Sequence, residues 1–598
     1  MKKIKIGGAS GYWGDSAYAT KQLLEKGNVD YLVYDYLAEV TMSLLANARS
    51  KSDELGYATD FVQQILKPNL KAIADGGIKV VANAGGVNLP ACQKAIQAIL
   101  DEQGIQLKVG VVSGDDLLPR ADEFKTTGVT EMTSGAAFPE KLASINAYLG
   151  AFPIAAALDA GADIVITGRV VDSATTLGVL IHEYKWALDD YDKLSMGSLA
   201  GHLIECGCQV TGGNFTDWRD TSDGWADMGY PIVECEQSGQ FVVTKADNTG
   251  GLVSALTISE QLIYEIGDPQ AYYLPDVVCD FSNVTLEDDA PNRIRVSGAK
   301  GYPATDQYKV SATYLDGYRA TYTQLISGYD VVEKTQITGE RILERCKILF
   351  ADLGYGDFRQ SSINLLGANA LWNKDIFQTP DNLLEVVLRI SVHHDKREAV
   401  ALFSREVMGV ILNMTGGRCA AGAAGRPKVS PVINLYSFLL DKSRVSAMVN
   451  VDGQGISFQS IEGEAFDGSR IKRADVPAIP TNSQQTRQVQ LIELAVARSG
   501  DKGDFANIGV IARKPEYMEY IAQAVTESSI SSWFSHILSG RVERFYLPGI
   551  NALNFLMYDA LGGGGVGSMN IDVQGKTYAQ QLLMMPIDIP VNLLDSSN

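Results

Sequence analysis

The chain has 598 residues, of which 46% are hydrophobic and 20% charged, a composition typical of a globular protein with several domains. Its 51 basic and 71 acidic residues give a net charge of -20, so neither nucleic acid nor an anionic membrane is expected as a partner. Because no apolar run reaches the about 18 residues of a membrane span and no secretory signal is found, we expect a cytoplasmic protein.

The first half of the chain alternates short, β-branched runs with helical segments. Strands are predicted at KIKIGG, YLVYDYL, IKVVANAGG, LKVGVVSGDD and ADIVITGRV, and helices near 15–27, 58–75, 90–103 and 139–160. Strands that are apolar on both faces are typical of a parallel sheet covered by helices. We therefore predict an α/β fold, with a large N-terminal domain that has a mostly parallel sheet and glycine-rich βα loops.

The second half is predicted to mix strands and helices. A further boundary is expected near residue 230, and the proline-containing polar segment 464–488 is the predicted linker. It separates a large domain, 1–463, from a small α+β domain, 489–598. In the small domain, VERFYLP is predicted as a strand and the segment near 551–560 as a helix.

The first predicted strand runs into the glycine-rich stretch GASGYWG. Its Gly8, Gly11 and Gly14 precede a helical segment, where free N–H groups attract anions. Three interpretations stay open: a structural turn, a loop that binds an anion or substrate, and a dinucleotide site for NAD(P) with Asp35 as its acidic residue.

Small and polar residues also follow the later strands. The residues at four strand ends are Gly11 and Asp15, then Asn83 and Gly85, then Asp115 and Asp116, and finally Arg169 and Asp172. In parallel sheets ligands bind outside the carboxyl ends of the strands, so one shared polar cleft is predicted. The alternative is a series of ordinary βα turns.

Each charged residue of this cleft has a predicted role. Arg169 is expected to clamp a substrate carboxylate, and Asp115 or Asp172 to transfer a proton. Gly11, Asp15, Asn83 and Gly85 are expected at the substrate. No metal is expected, although oxygen ligands from Asp115 and Asp116 leave a divalent cation open.

Two glycine-rich segments farther along carry candidate substrate-binding residues. Asn214 lies in VTGGNFTDW, and Arg418 lies in GGRCAAGAAGRP, residues 416–427, which is either an acyl or phosphate loop or a packed loop. HLIECGC places His202, Cys206 and Cys208 together without the second ligand pair that zinc sites have, so no zinc centre is predicted.

The densest charged motif is ARSGDKGDFANIG, in the small domain. It contains Arg498, expected to bind substrate, and the candidate catalytic residues Asp501, Lys502 and Asp504. Because the motif interrupts two apolar strands, its charges are expected to be partly buried, with shifted pKa values. We expect it to act in catalysis or at a domain interface, closing over the cleft or completing a neighbouring subunit's site.

Several long motifs together resemble the acyclic terpene utilisation protein AtuA family. They are GGASGYWGDS, DYLAEVTMS, NAGGVNLPAC, GADIVITGRVVDSA and VARSGDKGDFANIGV, and the resemblance runs from residue 3 to about 590. It implies a large α/β domain followed by a small ferredoxin-like domain. It also implies a part in the breakdown of acyclic monoterpenes such as citronellol and geraniol through branched acyl-CoA intermediates, but it carries over no catalytic residues.

We therefore expect a homo-oligomeric catabolic enzyme that acts on a branched carboxylic acid or its CoA thioester. The reaction would be hydration, C–C cleavage or hydrolysis, with no cofactor firmly implied. Two alternatives stay open: an NAD(P)-linked oxidoreductase that uses the first glycine loop, and a non-catalytic partner subunit of an acyl-CoA enzyme.

Overall fold

The computed structural model describes residues 2–421, 425–478 and 485–595. Residues 422–424 of the predicted glycine-rich segment and residues 479–484 of the predicted linker therefore lie outside the described residues. Within the described ranges, none of the helices has the length and apolar character needed to cross a bilayer.

The strands are numbered in chain order. Those of the first 456 residues are β1 (Ile4–Gly8), β2 (Tyr31–Tyr34), β3 (Lys79–Ala82), β4 (Val109–Ser113), β5 (Leu142–Ala147), β6 (Ile164–Thr167), β7 (Pro231–Cys235), β8 (Phe241–Lys245), β9 (Tyr272–Tyr273), β10 (Val278–Asp280), β11 (Thr285–Ala290), β12 (Arg293–Ser297), β13 (Lys300–Tyr302), β14 (Gln307–Ser327), β15 (Gln360–Leu366), β16 (Glu385–His394), β17 (Arg418–Ala420), β18 (Ser430–Asp441), β19 (Met448–Val451) and β20 (Gln454–Ile456). Those of the C-terminal part are β21 (Thr486–Gln490), β22 (Ala495–Lys502), β23 (Phe505–Ala512), β24 (Val542–Leu547), β25 (Ala552–Met557) and β26 (Pro586–Pro590).

The α-helices are numbered in the same way. They are α1 (Tyr18–Gln22), α2 (Glu39–Arg49), α3 (Lys67–Gly76), α4 (Leu89–Gln103), α5 (Ala121–Thr126), α6 (Phe152–Asp159), α7 (Ala174–Tyr184), α8 (Tyr191–Ile204), α9 (Ala255–Leu262), α10 (Val331–Leu353), α11 (Arg397–Gly409), α12 (Met518–Ala524), α13 (Glu527–Trp533), α14 (Tyr578–Leu582) and α15 (Val591–Asp595). Short π-helical stretches, Leu23–Gly27 and Phe61–Leu66, adjoin α1 and α3.

The main sheet is parallel at its centre and antiparallel at both edges. Its order is β11-β12-β8-β7-β1-β2-β3-β6-β4-β19-β20, and the run from β1 to β4 is parallel. The five predicted strands form this central run, so the parallel prediction holds there, whereas the strands added on both sides pair antiparallel. The carboxyl ends of β1, β2, β3, β6 and β4 consequently meet at one edge of the sheet.

Both faces of the central strands are buried. Along β3, Val81 packs into one hydrophobic core, and Val80 and Ala82 pack into another core on the opposite face of the sheet. This explains why the strands have continuous apolar sequences: alternate side chains point to opposite faces, and both faces are covered.

One predicted helix is partly wrong. The segment 139–160 contains β5 before α6 begins at Phe152, and β5 pairs antiparallel with the long strand β14. Strand β14 also pairs with β16, β17 and β18, which gives a second sheet packed against α10 and α11.

The C-terminal part has a four-stranded antiparallel sheet in the order β22-β23-β25-β24. The predicted helix near 551–560 is wrong, because Ala552–Met557 is the strand β25, at the sheet's interior. Strand β22 ends at Lys502, directly before the tight turn into β23, and Lys502 lines the site described below.

Candidate functional site

Two cavities lie side by side at the carboxyl ends of the parallel strands. The apolar chamber, about 540 Å³, is lined mainly by Tyr148, Val171, Tyr272, Leu274, Leu439 and Phe466, with Lys309 and Lys502. The polar chamber, about 430 Å³, is lined by Gly11, Asp15, Asp35, Asn214, Glu265 and Lys576, among others. Asp172 and Glu205 line both chambers and form their shared wall.

The side chains of this wall come from separate parts of the chain. Asp172 lies in the loop after β6, and Glu205 directly follows α8. The C-terminal part supplies Lys502 at the β22–β23 turn and Lys576 just before α14. The site is therefore assembled by both parts of one chain, and the ARSGDKGDFANIG turn reaches the cleft within that chain.

Arg169 is paired with Asp172 rather than open to the cavity. It is 3% exposed, its guanidinium lies 4.2 Å from the centre of the Tyr148 ring, and Nη1 donates to Asp172 Oδ1 at 2.6 Å. Arg169 is not among the residues that line either chamber. The arrangement makes Arg169 a residue that fixes Asp172 in place, so the predicted clamp on substrate has no open face here.

Asp115 holds the loop that carries Arg169 and Asp172 in place. Its Oδ2 accepts hydrogen bonds from the Arg169 backbone N–H at 2.8 Å and from Asn146 Nδ2 at 2.9 Å. Burial raises the pKa of Asp115 to about 6, although these hydrogen bonds favour the ionised form. Asp115 lines neither chamber, so its position suits holding the 168–172 loop rather than contacting a substrate.

Glu205 and His202 share a proton. Nε2 of His202 lies 2.9 Å from the Gln261 carbonyl oxygen, which only accepts, so Nε2 carries a hydrogen. Nδ1 lies 2.9 Å from Glu205 Oε1, and that contact needs one proton on either the imidazole or the carboxyl. Burial raises the pKa of Glu205 to about 6, although the neighbouring His202 acts to lower it. The His202–Glu205 pair therefore holds one proton beside both chambers.

Asp35 forms the floor of the polar chamber. Asn83 donates a hydrogen bond to it from Nδ2, and the Tyr36 backbone N–H donates to Asn83 Oδ1 at 2.7 Å. Burial and the nearby charge of Asp172 raise the pKa of Asp35. Asn83, which lines neither chamber, therefore orients a buried carboxyl group.

Two lysines face the apolar chamber. Lys309 lies 3.3 Å from Glu39, whose pKa is lowered by the charges of Lys309 and Arg169 even though burial opposes its ionisation. Lys502 makes no ion pair with any residue that the structure describes, and its Nζ lies 5.4 Å from the centre of the Tyr272 ring. Burial opposes the charge of Lys502, but negative groups such as Glu265 and Asp172 outweigh it and raise its pKa.

A second charged group borders the polar chamber. Lys576 Nζ donates to Glu265 Oε1 at 2.7 Å, to Asp501 Oδ1 at 3.1 Å and to the Tyr264 hydroxyl. The pKa of Glu265 is lowered because Lys576 outweighs burial, whereas burial and the charge of Glu265 raise that of Asp501. Two carboxyls that share one lysine thus have pKa values pushed apart.

Backbone N–H groups of the first glycine loop are already hydrogen-bonded within the loop. Asp15 accepts hydrogen bonds from the backbone N–H groups of Gly11, at 2.9 Å, and Ser16, at 2.6 Å. A Cβ on Gly8 would lie 2.5 Å from the Ile204 carbonyl oxygen, and one on Gly11 would lie 2.9 Å from the Cys206 carbonyl carbon. These glycines allow close packing on the end of α8, and a pyrophosphate would meet the carboxylate of Asp15, so the loop does not fit a dinucleotide.

Other predicted residues lie outside both chambers. Gly85 packs against Leu89 and the Thr167 carbonyl, and Asp504 accepts from the backbone N–H of Gly563 at 2.8 Å. Arg418 is paired with Gln324 in the second sheet, at 2.8 Å. Arg498 lies over the Tyr264 ring and donates to the Asn214 carbonyl oxygen at 2.8 Å, which links it to the polar chamber indirectly.

Asp116 does not share a site with Asp115. Its side chain is exposed and accepts from the Leu118 backbone N–H at 3.0 Å. Among the residues with described positions, no three His, Cys, Asp or Glu side chains are grouped to hold a metal ion.

Sequence reasoning missed several residues of the site. Glu265, Lys309 and Lys576 line the chambers without belonging to any motif that was singled out for catalysis or binding, and Glu205 lies in HLIECGC, which was considered only for zinc. His202 was considered only as a metal ligand. A usable signal was available for Glu205, because HLIEC places His202 and Glu205 three residues apart at a helix end, where side chains meet.

Comparison with known proteins gives a family for both parts of the chain. The family model described as acyclic terpene utilisation family protein AtuA matches residues 4–451. The model described as AtuA ferredoxin-like domain matches residues 489–588. No curated protein and no solved structure matched the chain.

Proposed function

Because the chain belongs to the acyclic terpene utilisation AtuA family and ends in that family's ferredoxin-like domain, we propose that it is a catabolic enzyme for a branched carboxylic acid or its CoA thioester. Its reaction is a hydration, C–C cleavage or hydrolysis, driven by proton transfer at Asp172 and Glu205.

The observation that carries the proposal is the wall shared by the two chambers. On one side lies a cavity suited to a hydrocarbon chain, and on the other a cavity lined by polar and charged groups. Asp172 and Glu205 face both, so a group that reacts at the junction lies beside two carboxyls. A mostly apolar pocket with a few converging polar groups is the usual form of a small-molecule site.

The two carboxyls are suited to different roles. Each of the three reaction classes needs one group to take up a proton and another to give one. Asp172 accepts a charge-assisted hydrogen bond from the Arg169 guanidinium at 2.6 Å, which orients it, and we assign it the role of the base. Glu205 holds a proton with His202, so it acts as the acid. Lys309 and Lys502 orient the carboxyl or thioester group, and the surrounding Tyr272 and Leu274 exclude water.

The test replaces each carboxyl while keeping its size. We expect Asp172→Asn and Glu205→Gln to lower turnover by about 10²- to 10⁴-fold, the usual contribution of a general base or acid. The measurement is product formation, followed by mass spectrometry, from a panel of branched ten-carbon acids and their CoA thioesters.

The matched control is Asp116→Asn, since Asp116 is an exposed carboxyl near the same loops. It should retain full activity. Undiminished turnover in both Asp172→Asn and Glu205→Gln would remove the proposal, as would a panel that yields no product with the unmodified protein.

A further inference from the structure

Resting on the proposed function, we infer that the apolar chamber takes its substrate as the free branched carboxylate and not as the CoA thioester. The proposed function leaves these two forms open, and the charges around the chamber distinguish them.

Lys502 lines the apolar chamber and is the lysine there that has no ion-pair partner among the described residues. Its Nζ lies 5.4 Å from the Tyr272 ring centre. The other two cations nearby are already paired, Arg169 with Asp172 at 2.6 Å and Lys309 with Glu39 at 3.3 Å. Lys502 is partly exposed, and since none of the described carboxylates pairs with it directly, a ligand that brings one negative charge can do so.

A carboxylate can pair with the Lys502 ammonium group, and a thioester cannot. A carboxylate carries one full negative charge on two oxygens, and charge-assisted hydrogen bonds to ammonium groups are about twice as strong as neutral ones. A thioester offers only a neutral carbonyl oxygen, which forms no ion pair with Lys502. The side chains of Val171, Leu274, Leu439 and Phe466 then surround the branched hydrocarbon chain.

The surroundings of the chamber give the phosphates of CoA no counter-charge. Lys309 and Lys502 are the lysines among the described residues that line it, and the carboxyls of Asp172, Glu205 and Asp306 also line it. The arginines that follow Phe466 in the chain are engaged elsewhere: Arg470 lies 3.2 Å from Glu464, and Arg473 donates to Asp268 at 3.1 Å. In a chain with a net charge of -20, a nucleotide with several phosphates would be repelled here.

The test compares three ligands that share one hydrocarbon chain. The probes are 3,7-dimethyloctanoic acid, its uncharged primary amide and its CoA thioester, titrated into the full-length protein by calorimetry at pH 7.5. We expect the acid to bind at least tenfold more tightly than the amide, and we expect the thioester to bind more weakly than the acid.

Variants of Lys502 connect this preference with the ammonium group. Lys502→Met should weaken binding of the acid at least tenfold and leave binding of the amide unchanged, while Lys502→Arg, which keeps the charge, should restore most of the affinity for the acid. The control Lys51→Met changes an exposed lysine and should leave every affinity unchanged.

The outcomes separate the inference from the proposed function. Tight binding of the thioester with weak binding of the acid would overturn the inference and leave the proposed function standing. Equal affinity for acid and amide would also overturn it. If none of the three probes bound, both would fall. The comparison of acid with amide uses the unmodified protein, so the inference stays testable even if a Lys502 variant does not fold.

Discussion

At the scale of single residues, Asp115 shows how a buried carboxyl can shape a site without lying in it. It is 2% exposed, and one of its oxygens holds both the Arg169 N–H and the Asn146 amide. A Cβ on Gly168 would lie 2.3 Å from its Oδ1, so the loop carrying Arg169 and Asp172 passes directly over this carboxyl. Asp115 therefore sets the backbone from which Asp172 projects.

The raised pKa of Asp115 predicts how stability depends on pH. In the folded protein it is about 6, against about 4 in an unfolded chain. The folded state thus holds the proton more tightly, and this contribution to stability is complete below about pH 4 and is lost as the pH rises through 6. The shift corresponds to about 3 kcal/mol at most.

Asp115→Asn removes this titration and keeps an oxygen that can accept both hydrogen bonds. We expect the melting temperature of the variant, relative to the unmodified protein, to be higher at pH 7.5 than at pH 5. Thermal unfolding at several pH values measures the difference. The exposed neighbour Asp116→Asn should show no such trend, and melting curves that stay parallel for Asp115→Asn would contradict the assignment.

At the scale of elements, the loop after β3 needs Gly85 for packing. A Cβ there would lie 2.2 Å from Leu89 Cδ2 and 2.7 Å from the Thr167 carbonyl oxygen at the end of β6. Because the second contact is with backbone, the loop itself must shift to accept a side chain. Gly85 thus lets the β3 loop approach the neighbouring strand closely.

We therefore expect Gly85→Ala to destabilise the protein by about 1–3 kcal/mol, the usual cost of overpacking. Chemical unfolding measures this loss. Gly409→Ala is the control, because nothing lies within 4 Å of the position where its Cβ would be and no positive φ is required. A Gly85→Ala variant with unchanged stability but weakened ligand binding would instead support the predicted contact with substrate.

One class of correctly predicted elements consists of strands whose buried residues are mainly apolar. The parallel strands β1, β2, β3, β4 and β6 fall into this class. Strands β5 and β25 were predicted as helix, and both carry buried polar residues. In β5, Ser144 bonds Thr313 and Asn146 bonds Asp115, and in β25 Asn554 is fully buried. Their hydrogen-bond partners lie far away in sequence, so a local pattern cannot show them.

Local sequence patterns also predicted only part of the site. The strand ends led to Asp172 and Asp15, because the crevice rule uses only local order along the chain, and a glycine-rich segment led to Asn214. Lys309 and Lys576 reach the cleft from a long strand and from a C-terminal loop, and no short motif surrounds them. Arg169 was predicted as the clamp because a guanidinium suits a carboxylate, and the carboxylate that it binds in the structure is that of Asp172, three residues away.

At the scale of the whole molecule, the C-terminal part is docked on the large part through buried amides. Asn507 is 0% exposed, and its Nδ2 donates to the Ile263 carbonyl oxygen at 2.6 Å and to Asn554 Oδ1 at 2.9 Å. Asn554 in turn donates to the carbonyl oxygens of Ile266, at 2.9 Å, and Gly267, at 2.7 Å. The two amides hold the loop that follows α9.

This docking also fixes a residue of the polar chamber. Asn507 Oδ1 accepts from the Glu265 backbone N–H at 2.9 Å, and Glu265 has a φ of 57°, in the left-handed region that residues other than glycine rarely adopt. Such a conformation persists only where surrounding contacts enforce it. The position of Glu265 beside Lys576 therefore depends on an amide supplied by the C-terminal part.

Asn507→Ala should loosen the docking and the polar chamber together. The substitution leaves the Glu265 N–H and the Ile263 carbonyl without their Asn507 partner, each at a cost of about 1–3 kcal/mol if it stays buried. We expect faster hydrogen–deuterium exchange in peptides that cover residues 263–267 and 574–577, together with a lower melting temperature. Asn592→Ala, at an exposed position of α15, is the matched control and should leave both measurements unchanged. If Asn507→Ala increased exchange only within the C-terminal sheet and left residues 263–267 protected, the two parts would be held by other contacts, and the geometry of Glu265 would not depend on their docking.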